Sequence, residues 1–94
     1  MTLSATVRDG FLIFAKKECP TCNLVRPVVR ELAQRAGSVV VFTQDDTSFM
    51  DELTVVDDTS LMRSFLHDIE AVPAIIRFAG GREVDRTVGW SRQE

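Results

Sequence analysis

Two cysteines two residues apart, Cys19 and Cys22, stand where the residue pattern of this chain switches from strand to helix. Before them runs Phe11-Leu12-Ile13-Phe14-Ala15, a short apolar stretch of strand length bounded by Gly10 and by Lys16-Lys17-Glu18. After them the apolar residues recur with helical period: Leu24, Val28 and Leu32 on one line, Val25, Val29 and Ala33 on the next. A thiol at such a junction meets unpaired backbone N–H groups and the positive end of a helix, both of which favour a thiolate. Pro20 suits the first helical position, where its missing N–H costs nothing. The second thiol lies one turn on, within reach of a disulfide.

Other readings of the pair stay open on the motif alone: two buried apolar side chains, half of a zinc site, or an iron–sulfur site shared by two chains, each giving its pair. Structural zinc takes four ligands. Beyond the pair, the chain offers only His67 and carboxylates, with no second cysteine pair.

Further landmarks follow in order. Pro27 lies five residues after Cys22, inside the helical pattern, where proline removes a hydrogen bond and kinks a helix. Val72-Pro73-Ala74 leads into the apolar Ile75-Ile76 and Phe78-Ala79, then the turn Gly80-Gly81, a second strand-like run Glu83 to Val88, and Gly89-Trp90. From about Gly10 to Gly89 this succession resembles the thioredoxin-like superfamily: strand, Cys-x-x-Cys, kinked helix, helix, cis-proline, hairpin and glycine. The resemblance implies a three-layer α/β/α fold with a mixed central sheet.

It also implies roles. Cys19 is the attacking thiol and Cys22 the resolving one, with Pro20 and Thr21 supporting the site. Pro73 matches the cis-proline facing the cysteines, which aims the Val72 backbone at an extended substrate. Gly89 matches the glycine that admits a substrate backbone, and Trp90 beside it either contacts a partner or packs in the core. Two departures stand out. Thioredoxins carry a buried carboxylate six residues before the first cysteine, where this chain has Ile13, and a tryptophan where it has Glu18. Glu18 would raise the neighbouring thiol pKa, whereas Lys16 and Lys17 would lower it.

With 94 residues, 45% of them apolar, the chain reads as one domain over 1–94 with a single core. A net charge of −3 makes nucleic acid a poor partner. Both cysteines belong to the motif and none remains for a structural disulfide framework, which points to the reducing cytoplasm. The first ten residues lack the apolar core of a signal peptide, and no stretch reaches membrane-spanning length. The expected cofactor is none beyond the Cys19–Cys22 redox pair, with no metal.

The expected elements are an edge strand over Thr2–Val7, strand Phe11–Ala15, one kinked helix Pro20–Ala36 capped by Gly37, and strand Val39–Gln44. Asp45 to Asp58 reads as an inserted acidic loop with solvated carboxylates. It lacks the spacing and the glycine of an EF-hand loop. Thr59–His67 is expected as a helix with Leu61, Phe65 and Leu66 inward. His67, the only histidine, reads as a packing or capping ring rather than a thiol base. Ser91-Arg92-Gln93-Glu94 has the form of a capping box, as if a last helix were truncated. The sheet face it would cover, with Leu12, Phe14, Val40, Phe42, Ile75 and Phe78 as candidates, would then meet water and invite self-association or a further domain.

Three functions fit the sequence: a thiol–disulfide oxidoreductase acting on a protein or small-molecule disulfide, a binding module that keeps the fold without the chemistry, and the shared metal or iron–sulfur site. The lost carboxylate at Ile13 favours the second. Insulin-type disulfide reduction separates the first two, and optical absorption with metal content separates the third.

Overall fold

The computed structural model describes residues 9–36 and 38–89. The expectations for Thr2–Val7, Gly37, Trp90 and the Ser91–Glu94 box lie outside the described residues. Strand β1 (Gly10–Ala15) is followed by helices α1 (Pro20–Leu24) and α2 (Arg26–Ala36), strands β2 (Val39–Thr43) and β3 (Thr54–Asp57), helix α3 (Met62–Leu66), and the hairpin β4 (Ala74–Ala79) and β5 (Arg82–Val88). The five strands lie in the order β3-β2-β1-β4-β5. β1 pairs parallel with β2 and antiparallel with β4, so the sheet is mixed.

The most apolar run takes the centre of the sheet: Leu12, Ile13, Phe14 and Ala15 are all fully buried. A central strand is covered on both faces, which explains why it shows no polar alternation. On one face Ile13 and Ala15 pack with Val41 and with Val25 and Val29 of the helical segment. On the other, Leu12 and Phe14 pack with Phe42, Ala74, Ile76 and Phe78.

The expected single helix over Pro20–Ala36 is two helices, parted at Val25. Pro27 thus falls in the first turn of α2, where the N–H it lacks would have had no helical partner. The Val29 N–H then resumes the ladder by donating to Val25 O at 2.9 Å. The break leaves Val25 and Val29 facing the sheet and Leu24 exposed.

The acidic stretch after β2 is more than a solvated loop. Phe49 and Met50 are buried against the α2 side of the sheet, Arg26 lies over the Phe49 ring at 5.4 Å, and Arg30 pairs with Glu52 at 3.0 Å. Val55 and Val56 then form β3, the parallel edge strand beside β2.

The helix expected over Thr59–His67 is confined to Met62–Leu66, and its apolar residues point the other way from expectation. Leu61, Phe65 and Leu66 are exposed and Ser64 is buried. The reason is Asp58, whose buried carboxylate accepts the Arg63 and Ser64 N–H groups and the Ser64 hydroxyl at 2.6–3.0 Å. This satisfies the free donors at the helix start and turns its polar side inward.

The sheet face expected to meet water is covered. Leu12, Phe14, Phe42 and Ile76 are fully buried, with His67 set against Phe14 and Phe78 (ring centroids at 5.6 and 6.2 Å) and Arg63 over Phe42. Ile75 belongs to the opposite face, as its odd register against Ile76 requires.

Candidate active site

β1 delivers the chain to a four-residue loop, Lys16 to Cys19, and two side chains clamp that loop from outside. The Asp45 carboxylate accepts the N–H of Lys17 at 2.8 Å and of Glu18 at 3.0 Å. The Asn23 amide donates to Lys17 O at 2.9 Å and to Cys19 O at 3.0 Å. Neither clamp was among the expected site residues. The signal for Asp45 is a carboxylate just past the end of a strand, where it meets the neighbouring strand's loop; for Asn23, an amide four residues after an N-cap.

Cys19 is the N-cap of α1 in extended conformation, with Pro20 next in the helix. The Cys22 N–H donates to the Cys19 sulfur at 3.3 Å, and the Cys19 sulfur lies 3.8 Å from Val72 O. Cys22 is fully buried beside Ile13 in the apolar cluster under the helices, and the Lys16 N–H donates to its sulfur at 3.5 Å. Both thiols are free.

These environments push the two thiols apart. Desolvation acts to raise Cys19, yet hydrogen bonds from the Cys22 thiol and from the Cys22 and Thr21 N–H groups, with the Lys16 charge, hold it below the ordinary thiol value. Desolvation, reinforced by the bond and charge of Cys19, pushes Cys22 up to about 12. Of the charges flanking Cys19 in sequence, Lys16 acts to lower it, while the Lys17 ammonium is drawn to Asp46 at 3.5 Å. A one-turn helix acts here through its first N–H groups rather than through a long dipole.

Opposite the thiols, the Val72–Pro73 bond is cis, and the Gly89 N–H donates to Pro73 O at 2.7 Å. Gly89 has φ 75°, and a side chain added there would meet open space. The left-handed backbone favours glycine at this position. A groove of about 550 Å³ opens beside Cys19, with Lys16, Gln44, Leu61, Phe65 and Val72 among its walls. His67 lies on the other face of the sheet from Cys22, where burial first and the Arg86 charge second pull it below its ordinary value. Among the described residues no group of three or more His, Cys, Asp or Glu side chains gathers as a metal site. Nor is any helix among them long and apolar enough to cross a membrane.

No family model matches the chain. Thioredoxin H-type of Brassica campestris is 32% identical over 76 residues, covering 81% of this chain and 53% of that protein. Thioredoxin H5 of Arabidopsis thaliana is 31% identical over 81 residues, covering 86% of this chain and 59% of that protein. The chain therefore spans little more than half the length of these curated relatives. Among solved structures, thioredoxin from Aeropyrum pernix superposes with a TM-score of 0.65 at 19% identity, over 92% of this chain and 67% of that one. Mitochondrial thioredoxin 3 from Saccharomyces cerevisiae, in its oxidised form, gives a TM-score of 0.63 at 16% identity, over 92% and 72%. At those identities the structural likeness speaks for the fold. Sequence and fold together agree with the succession from β1 through the cysteine pair to the Pro73 hairpin, and the chain belongs to the thioredoxin-like superfamily.

Proposed function

We propose that the chain is a thiol–disulfide oxidoreductase in which Cys19 attacks and Cys22 resolves. The observation that carries this reading is the contrast between the two thiols: a half-buried Cys19 held toward thiolate, and a fully buried Cys22 held protonated. The Cys19 thiolate attacks one sulfur of a substrate disulfide, forming a mixed disulfide, and the other substrate sulfur leaves as a thiolate that takes up a proton. Cys22 then loses its proton and attacks the Cys19 sulfur, closing the Cys19–Cys22 disulfide and releasing the second substrate thiol. Two electrons pass from the dithiol to the substrate, and the reverse sequence oxidises a substrate dithiol.

The absence of a carboxylate at Ile13 is partly offset by the first step itself. Part of what raises Cys22 is the Cys19 sulfur beside it. A mixed disulfide leaves no charge on that sulfur, so the resolving thiol becomes easier to ionise. Pro20 and Thr21 hold the helix start, and Val72, Pro73 and Gly89 form the place where a substrate backbone docks.

The reading comprises one domain over 1–94, a redox pair in place of a bound cofactor, and disulfide-bearing proteins as partners. It places the chain in the reducing cytoplasm, on the ground that both cysteines belong to the motif. The test is reduction of insulin disulfides with dithiothreitol as electron donor. Wild-type protein accelerates precipitation of the freed chains and Cys19→Ser does not. Equal rates with both proteins would overturn the reading and leave a binding module.

A further inference from the structure

Leu61 and Phe65 stand at the groove beside Cys19 with 48% and 78% of their surfaces exposed. The residue between them that turns inward is Ser64, tied to Asp58 at 2.6 Å and accepting from the Gln44 amide at 2.7 Å. The short helix thus buries its hydroxyl, while Phe65 and the N-cap residue Leu61 line the groove. Leu61 carries a further sign of constraint: its backbone is left-handed, at φ 65° and ψ 15°, a conformation that disfavours a leucine. Its N–H donates to Asp58 O at 2.8 Å, so the same aspartate holds both the helix and the strained residue before it. Strain of this kind persists where the surroundings over-determine it, and it gathers at functional sites.

The charges of the groove narrow what it fits. Its walls carry one cation, Lys16, and one carboxylate, Glu70. Each half of glutathione disulfide brings two carboxylates and an ammonium, and one lysine leaves a carboxylate without a partner. An apolar side chain next to a substrate cysteine leaves nothing unpaired and removes Leu61 and Phe65 from water.

We propose that Leu61 and Phe65 form a specificity wall that selects a polypeptide disulfide whose cysteine is flanked by a bulky apolar residue, in preference to glutathione disulfide. This rests on Cys19 being the attacking thiol, since the wall matters only for a substrate sulfur brought to that atom.

The test uses pre-reduced protein in single turnover, with formation of the Cys19–Cys22 disulfide followed by acid quench and alkylation. The substrates are two peptide disulfides, one with leucine and phenylalanine beside the cysteine and one with serines there, together with glutathione disulfide and a small aromatic disulfide. Wild-type protein should prefer the apolar peptide over the serine peptide and over glutathione disulfide by about tenfold or more. Phe65→Ser and Leu61→Gly should bring the ratio between the peptides close to one by weakening saturation with the apolar peptide. Leu61→Gly, which relieves the left-handed strain, should melt no lower than wild type. A variant that merely loosened the fold would slow both peptides alike and leave the ratio intact. A wild-type ratio near one, a ratio that survives both variants, or glutathione disulfide reacting as fast as the apolar peptide would overturn the proposal. Failure to react with the small aromatic disulfide would instead sink the attacking role of Cys19, and the specificity wall with it.

Discussion

The Asp45 carboxylate accepts the backbone N–H of Lys17 at 2.8 Å, tying the end of β2 to the loop that carries Cys19. It also takes the Glu18 N–H, and it lies in the part-exposed rim of the site rather than in the core. Asp45→Ala should cost about 1 kcal/mol of stability, the size of a typical net hydrogen-bond contribution, and slow alkylation of Cys19 severalfold. Asp45→Asn keeps one acceptor oxygen and should recover part of both. Burial acts to raise this carboxyl, but the N–H groups of Lys17, Glu18 and Asp46 outweigh it and hold the group below its usual value. Its stabilisation is therefore complete above about pH 3.9 and lost as pH falls through the lower folded value. Acid unfolding of wild type and Asp45→Ala should converge below that point.

The two thiols should separate cleanly in alkylation against pH. Cys19 should titrate below its ordinary value and Cys22 should stay nearly inert, with Lys16→Gln moving Cys19 upward because the Lys16 charge favours the thiolate. Equal alkylation rates with unshifted profiles would rule out an activated pair. The reduced protein should also weaken in alkali. Cys22 stays protonated in the fold to about 12, whereas an unfolded thiol ionises near about 8.5. The unfolded chain sheds its proton first as pH rises, so this contribution is intact below the unfolded value and is lost as pH climbs toward the folded one. Cys22→Ala should flatten that loss.

Asp58 is buried and meets three donors from α3, so its removal strands all three. Asp58→Ala should destabilise the fold by about 2 kcal/mol, at the upper end of measured cap losses. Because α3 forms one wall of the groove, the same variant should weaken substrate saturation more than the chemical step. Denaturant midpoints and the split between KM and kcat check both parts.

The centre of the fold was legible because its signals are local. An apolar run before Cys19, a proline in the first turn after it, helical spacing through Ala33, and glycines at the Gly80–Gly81 turn each act within a few residues. The break at Val25 was foreshadowed by Pro27, although one kinked helix was expected where two stand. The stretch from Asp45 to Leu66 was not legible, because its structure depends on contacts distant in sequence. Asp45 reaches back 28 residues to Lys17, and β3 offers only Val55 and Val56 between acidic pairs as a pattern. The orientation of α3 misled for a related reason. Leu61, Phe65 and Leu66 have the spacing of a core face, but the buried carboxylate of Asp58 decides which side turns inward. Asp57-Asp58-Thr59-Ser60 ahead of an apolar run was the available hint, since these residue types cap helix starts.

The most direct measurement of the central claim is capture of the intermediate with single-cysteine variants. Reduced Cys22→Ser and Cys19→Ser proteins are each mixed with a peptide disulfide near neutral pH, quenched with acid and weighed by intact mass spectrometry. With Cys22 removed, the attack on the peptide survives and resolution does not, so Cys22→Ser should accumulate a mixed disulfide on Cys19. Cys19→Ser, left with a fully buried thiol that desolvation keeps from ionising and from meeting the peptide, should gain no mass. Equal adducts on both variants, or an adduct on Cys19→Ser alone, would contradict the division of roles between the two thiols.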